Sequence, residues 1–344
     1  MDLGRLNLGR GVESGASAAL AAAGALALCA VFLLAGGHDP LRAALVLVEN
    51  SLGTRDGIYE TLTRSVPLAV AGLGIVVAFR ANAYNIGADG QLMIGALVGV
   101  TALQLGGDLG AASGPWLLLA SAAGGALYGA LAGWLRARFD ANEIIVTIML
   151  NYVALQFLAW AVRGPMQEKA AIIPRSDVIP ESAHMPELVA GSLHAGVLVA
   201  LALALLLSIV VRRSVFGYQL DTVGESRPAA EYGGIAAGRI VVLAMAASGG
   251  LCGLAGGIEV AGVFHRLEEN MFPGAGVTAI AVALLARLNP LAVPFTALLF
   301  GVLTVGTAAL QRQMGVPYPL LWIIEGSVIL AVLLASWRRT PQAA

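Results

Sequence analysis

The sequence predicts an all-α, polytopic transmembrane bundle of about ten spanning helices. Three observations carry that expectation. Hydrophobic residues make up 58% of the 344 and charged residues only 12%, about half the charged share of an ordinary soluble domain. Apolar runs such as 17–35, 116–135 and 195–211 approach or reach the roughly 20 residues that cross a bilayer. Lipid offers backbone groups no hydrogen bonds, so such runs fold as helices that satisfy themselves.

In chain order the expected spans are 17–36, 62–79, 88–105, 115–135, 143–162, 193–211, 238–262, 275–288, 291–310 and 319–337. They form one membrane domain over 1–344, with its bundle at 17–337. The first run contains Leu26-Ala27-Leu28-Cys29, which looks like a lipoprotein cleavage box. Leu28 is too bulky for the residue before the cut, so an uncleaved anchor is expected. With both termini cytoplasmic, twelve of the 20 basic residues fall inside, among them Arg80, Arg136, Arg138, Arg212 and Arg239. The outside loops are the longer ones, so the density of positive charge favours this orientation.

Three connections are long. Segments 36–61 and 164–192 are expected outside, the second rich in proline and acids (Glu168, Asp177, Glu181, Glu187). Segment 212–238 is expected inside, and within it Pro228–Tyr232 suits a short helix with proline in its first turn. Such a helix is where a peripheral motor docks. No internal repeat is visible.

Polar interruptions of the spans are the places to look for function. Asn82–Gln91 packs two asparagines, two glycines, an acid and an amide between apolar runs. It reads either as a turn with Asp89 near a helix N-terminus or as a broken helix lining a cavity. Glu143, Thr147 and Asn151 recur every four residues, on one helix face. Polar groups so aligned either glue helices together or line a solute path. Glu325 lies inside the last span, where a carboxylate is expensive and therefore a functional candidate. Glu259 and His265 bracket the end of the seventh span, where interface exposure accounts for them. Gly249-Gly250 and Gly256-Gly257 suit close helix packing.

Several chemistries are excluded. The net charge of −1 gives no footprint for nucleic acid. The four histidines are scattered and form no expected metal site, and Cys29 and Cys252 lie in apolar runs. Lys169 is the only lysine and is not in a GxxxxGK[ST] loop, so the chain cannot bind nucleotide in that manner. ATP, if used, is hydrolysed by another polypeptide.

At these residues a family resemblance emerges. Tyr84–Gln91 (YNIGADGQ) resembles the FNIGAEGQ segment of importer permeases of the ATP-binding-cassette (ABC) class, in the branched-chain amino acid/ribose/nucleoside superfamily. Within it the likeness is to nucleoside ("simple sugar") permeases that work with basic membrane lipoprotein-type binding proteins. Asn142–Tyr152 resembles their NEVISTIMLNY, and 222–235 resembles their cytoplasmic AVGENPxAARYAGI. The segments 253–267, 280–290 and 315–317 fit the same group, so the matches run in order from about 80 to 335. Asp89 replaces the usual glutamate, and Ser226-Arg227 replace Asn-Pro, moving the proline to Pro228.

The resemblance implies an importer of two permease subunits, two cytoplasmic ATPases and an external substrate-binding lipoprotein, in a bacterial inner membrane. It implies a nucleoside or related purine or sugar solute, no cofactor on this chain and no catalysis by it. Asn85, Asp89, Gln91, Glu143, Thr147 and Asn151 are the candidate path residues. Gly224, Glu225, Pro228, Ala229 and Ala230 are the candidate ATPase-coupling residues. The rival reading is an ion- or proton-coupled secondary transporter, with Asp89, Glu259 and Glu325 as coupling sites.

Overall fold

The computed structural model describes residues 24, 27–169, 172–189, 191–317, 319–320, 322–324, 326–327 and 330. The chain is an all-α polytopic membrane protein. Among the described residues seven helices are long and apolar enough to cross a membrane, or eight if a bent pair is taken as one. Much of the expected span 17–36, much of 319–337 with Glu325, and both termini lie outside the described residues.

Two compact units divide the chain. In the first, 1–61 with 301–344, α1 (Ala27–Ala35) and α2 (Pro40–Leu52) meet at 111°. The stretch 36–61, expected as a loop, is therefore largely helical. Asp39 caps α2 by accepting a bond from the Leu41 N–H at 2.9 Å, and Pro40 opens the helix where its missing donor costs nothing. Cys29, Leu33, Ala43, Leu310 and Val316 form this unit's core. Asn50 accepts a bond from the Gln313 amide at 2.9 Å.

The second unit covers Leu62–Phe300. Its long helices are α3 (Arg55–Arg80, entering from the first unit), α4 (Ala88–Gly106), α5 (Ser113–Phe139), α6 (Glu143–Arg163), α7 (Gly196–Arg213) and α10 (Ala237–Glu259). Between α7 and α10 lie α8 (Val215–Glu225) and α9 (Arg227–Tyr232). A π-helical turn, Val260–Phe264, extends α10, and α11 (Ala275–Leu285) and α12 (Val293–Met314) follow. A hairpin of two short antiparallel strands, β1 (Glu187–Val189) and β2 (Leu193–His194), precedes α7.

Helices α4, α5 and α10 form the heart of this unit, and glycine makes it possible. A Cβ at Gly95 would run into the Gly253 backbone, and one at Gly125 into the Gly249 carbonyl. Close backbone approach replaces the hydrophobic driving force that lipid cannot supply. Gly249 and Gly256 also face backbone, and Gly257 faces the Ser121 side chain.

The expected span 275–288 differs most from expectation. Only eleven residues, Ala275–Leu285, are helical, or about 16 Å at 1.5 Å per residue. That is roughly half of a 30 Å hydrocarbon core. Between the π-helical turn and α11 the stretch 265–274 is not helical.

Candidate functional site

Two interrupted segments meet inside the second unit. The first begins where α3 stops. Asn82 takes a left-handed φ of 51°, and the Ala83 N–H bonds back to the Ala78 carbonyl at 3.0 Å, a glycine-type helix stop made by asparagine. Asn85 then folds onto its own chain, accepting the Gly87 N–H at 3.0 Å. The backbone from 82 to 87 is unwound, although Ala83, Asn85 and Gly87 are buried.

Buried backbone without helix needs other partners, and α6 supplies them. Thr147 Oγ1 accepts the Ile86 N–H at 3.3 Å. Asn151 donates to the Ile86 carbonyl at 2.9 Å and accepts the Gly90 N–H at 2.8 Å. Glu143 accepts from Arg136 at 2.8 Å, and the same guanidinium donates to the Asn82 carbonyl at 2.9 Å. The Glu143–Thr147–Asn151 face thus lies along the unwound segment and occupies its open hydrogen bonds. Asn85 and Gln91 exchange amide bonds at 2.8 and 3.0 Å, and Asn85 also donates to Ser248 on α10 at 2.8 Å.

The second interrupted segment ends at α11. Its N-terminus has no cap of its own; Gly274 is left-handed, and Asp89 accepts the Gly276 N–H at 2.7 Å. Asp89 also sits in the first turn of α4. Two helix N-termini therefore share one carboxylate, which both positive dipole ends favour. Gly276 has no room for a side chain, because a Cβ would meet the Asp89 backbone nitrogen.

One end of the unit is basic and the other carries the long loop 164–192. At the loop end the strand-like contacts are many. Ser176 N–H bonds the Leu267 carbonyl at 2.9 Å, Ile179 N–H the His265 carbonyl at 2.8 Å, and Met185 N–H the Ala261 carbonyl at 2.8 Å. Arg163 chelates Glu269 at 2.8–3.0 Å. The loop is strapped to the stretch that leads down to α11.

Under this strap sit three histidines that are far apart in sequence. His184 and His265 stack with ring centroids 3.9 Å apart, and His194 feels the charge of His265. Burial holds both His194 and His265 below the usual imidazole range, and neighbouring His184 depresses His265 further. Among the described residues no group of side chains has metal-holding geometry. Glu259 is only 5% exposed, so interface exposure does not account for it; the charge of Arg64 acts on it.

At the basic end, α8 and α9 form an elbow. Asp221 accepts a bidentate pair from Arg80, with Nε–Oδ1 at 2.8 Å, and a Cβ at Gly224 would run into the Arg80 carbonyl. The elbow is therefore keyed to the last turn of α3. Helix α9 is opened by Ser226, whose hydroxyl accepts the Ala229 N–H, and Pro228 lies in its first turn as expected. Glu225, Pro228, Ala229, Glu231 and Tyr232 are exposed, Tyr232 at 97%. Ala230 is different: it is fully buried among Ala78, Ala81, Leu220 and Val223. Sequence reasoning missed Arg80, Asp221 and Tyr232; the first two are ordinary charges until the fold joins them across 141 positions.

A multi-pass bundle with broken spanning segments and an elbow on its basic end defines a membrane transport subunit. The profile of the family described as branched-chain amino acid transport system / permease component matches residues 57–336, and the chain belongs to that family. It is the permease component of an ABC transporter, not the component that hydrolyses ATP, and its family works with ATPase and substrate-binding components. The glucose ABC transporter permease protein of Haloferax volcanii is 35% identical over 90% of this chain and 84% of its own length. The guanosine ABC transporter permease protein of Bacillus subtilis is 31% identical over 89% of each chain. The nucleoside ABC transporter permease protein of Lactococcus lactis is 29% identical over 88% of this chain and 86% of its own. No solved structure matches.

Proposed function

We propose that this chain, as one permease domain over 1–344, carries a nucleoside or a related purine or sugar solute across a bacterial inner membrane. The relatives named for guanosine, nucleosides and glucose support a neutral, hydroxyl-rich solute. The chain pairs with a second permease, two cytoplasmic ATPases and an external lipoprotein. Its basic end faces the cytoplasm, as the positive-inside bias requires, and both termini lie there.

The observation that carries the reading is the α8–α9 elbow. It presents Glu225, Pro228, Ala229 and Tyr232 outward while Arg80–Asp221 and Gly224 key it to α3. Motion of a docked ATPase is delivered to the end of α3, and from there to the unwound segment 82–87. That segment, with Asn85, Asp89, Gln91, Glu143, Thr147 and Asn151, shapes the wall of the solute path. Movement there alters how the N-termini of α4 and α11 share Asp89.

Reconstituted vesicles containing the permease pair, ATPase and binding protein test this. ATP-driven uptake of labelled guanosine is expected, and Asn85→Leu or Asn151→Leu is expected to impair it while the ATPase still co-purifies. Normal uptake in both variants removes these residues from the path. Uptake that ignores ATP and collapses with the proton gradient replaces the reading by the secondary transporter, with Asp89, Glu259 and Glu325 as its acids.

A further inference from the structure

We propose that the groove between α5 and α10 at the basic end binds an anionic glycerophospholipid, phosphate on Arg138 and Arg239 and an acyl chain along the groove above them. The cleft has a volume of about 500 Å³ and is lined by Trp134, Ala137 and Arg138 of α5 and Gly238, Arg239 and Val242 of α10, with Leu243 at its upper edge. No carboxylate lines it. Three other arginines at this end are engaged by acids: Arg80 by Asp221, Arg136 by Glu143 and Arg227 by Glu231. Arg138 and Arg239 have no acidic partner among the described residues; Arg138 lies 5.9 Å from the centroid of Phe139. Two guanidinium groups from different helices therefore share one open cleft with nothing negative in it.

The surroundings select a lipid over a free anion. Trp134 lines the cleft, half exposed and packed edge-on to Phe139 with ring centroids 5.4 Å apart, as an interfacial aromatic would be. Leu243 is also part of a second cavity of about 590 Å³, whose lining includes Ala122, Ala126, Ala246 and Gly250. From Leu243 to Gly250 that trough runs about 10 Å along α10 at 1.5 Å per residue, between small side chains of α5 and α10 with Phe216 of α8 also in its lining. A basic pocket between spanning helices, with an apolar trough above it, matches a phosphate ester with a hydrocarbon tail. The inference holds in either orientation of the bundle, because it depends only on the headgroup level of the basic end.

Trp134 supplies a native reporter. The purified permease is placed in nanodiscs of phosphatidylcholine with a minor fraction of brominated phosphatidylglycerol, and quenching is compared with Trp134→Phe to isolate the Trp134 signal. Brominated phosphatidylglycerol is expected to quench Trp134 far more than brominated phosphatidylcholine at equal mole fraction. Arg138→Gln with Arg239→Gln is expected to weaken that preference about 30-fold, two surface charges' worth. Arg213→Gln with Arg287→Gln, the same charge loss outside the cleft, is expected to leave it within about 3-fold, as all variants elute as monodisperse protein. Ala246→Phe, which fills the trough, is expected to release phosphatidylglycerol although both arginines remain. Equal quenching by the two lipids overturns the proposal. So does displacement by inorganic phosphate, which would make the site a free-anion site. Protection of Trp134 by the ATPase or a second permease copy, with no lipid retained, also overturns it by giving the cleft to a protein.

Discussion

Ala229 and Ala230 are adjacent and identical in type, yet their surroundings are opposite. The resemblance marks both as coupling residues, and the sequence cannot separate them because one turn of helix shows too little periodicity. The structure buries Ala230 against α3, α8 and Leu220 and leaves Ala229 on the outer surface. A bulky side chain at 230 must push apart packed backbone, at a cost of about 1–3 kcal/mol or more. Ala230→Trp is therefore expected to lower the melting temperature of the purified permease and reduce its yield. Ala229→Trp is expected to leave melting unchanged while ATP hydrolysis in the assembled complex no longer drives uptake. Equal melting temperatures for the two variants would contradict the burial of Ala230. Full transport by Ala229→Trp would remove α9 as the dock.

Among elements, the strap 164–192 shows what a sequence reveals and what it hides. Its prolines and acids identify a loop, and that much was legible. Its attachment to 261–269 was not, because the contacts are backbone bonds that carry no residue signature. The histidines beneath it, scattered along the chain, likewise become a cluster only when the strap folds over. Their chemistry makes the strap sensitive to acid. His194 and His265 titrate below their ordinary value of about 6.5 in the fold, so the unfolded strap binds protons first as pH drops. Stability is then full above about pH 6.5 and falls as pH descends toward the folded values. The groups facing His265 are His184, Glu187 and Arg266; the glutamate softens the effect, and His184 and Arg266 sharpen it. Hydrogen exchange at the Ser176, Ile179 and Met185 amides is expected to gain an acid-driven opening as pH falls below about 6.5, beyond the intrinsic pH dependence. His265→Asn, which tolerates the left-handed φ of 55°, is expected to flatten that dependence. An identical acid response in the variant would move the cause elsewhere.

On the scale of the whole chain, the membrane bundle was readable because lipid imposes one rule on every span. The packing of α4, α5 and α10 was partly readable too, since glycine pairs announce close contact at Gly249 and Gly256. What composition could not reveal is where an apolar run stops being helix. Segment 275–288 is as apolar as its neighbours, but only Ala275–Leu285 is helical, and its N-terminus is capped from another element by Asp89. The polar ladder on α6 was likewise legible as a face, yet its partner is unwound backbone, which leaves no periodic trace. The arginine bias makes a testable statement about the assembled molecule in its membrane. Glu181, in the strap, and Tyr232, on α9, are both exposed and lie at opposite ends of the second unit. Cys29 and Cys252 are buried, so single cysteines at 181 and 232 will dominate labelling by a membrane-impermeant maleimide. In intact cells Glu181→Cys is expected to react and Tyr232→Cys to stay unmodified until the membrane is opened. The opposite pattern would invert the bundle and put the α8–α9 elbow out of reach of any ATPase. Reaction at both positions in intact cells would mean that the two ends do not lie on opposite sides of the bilayer at all.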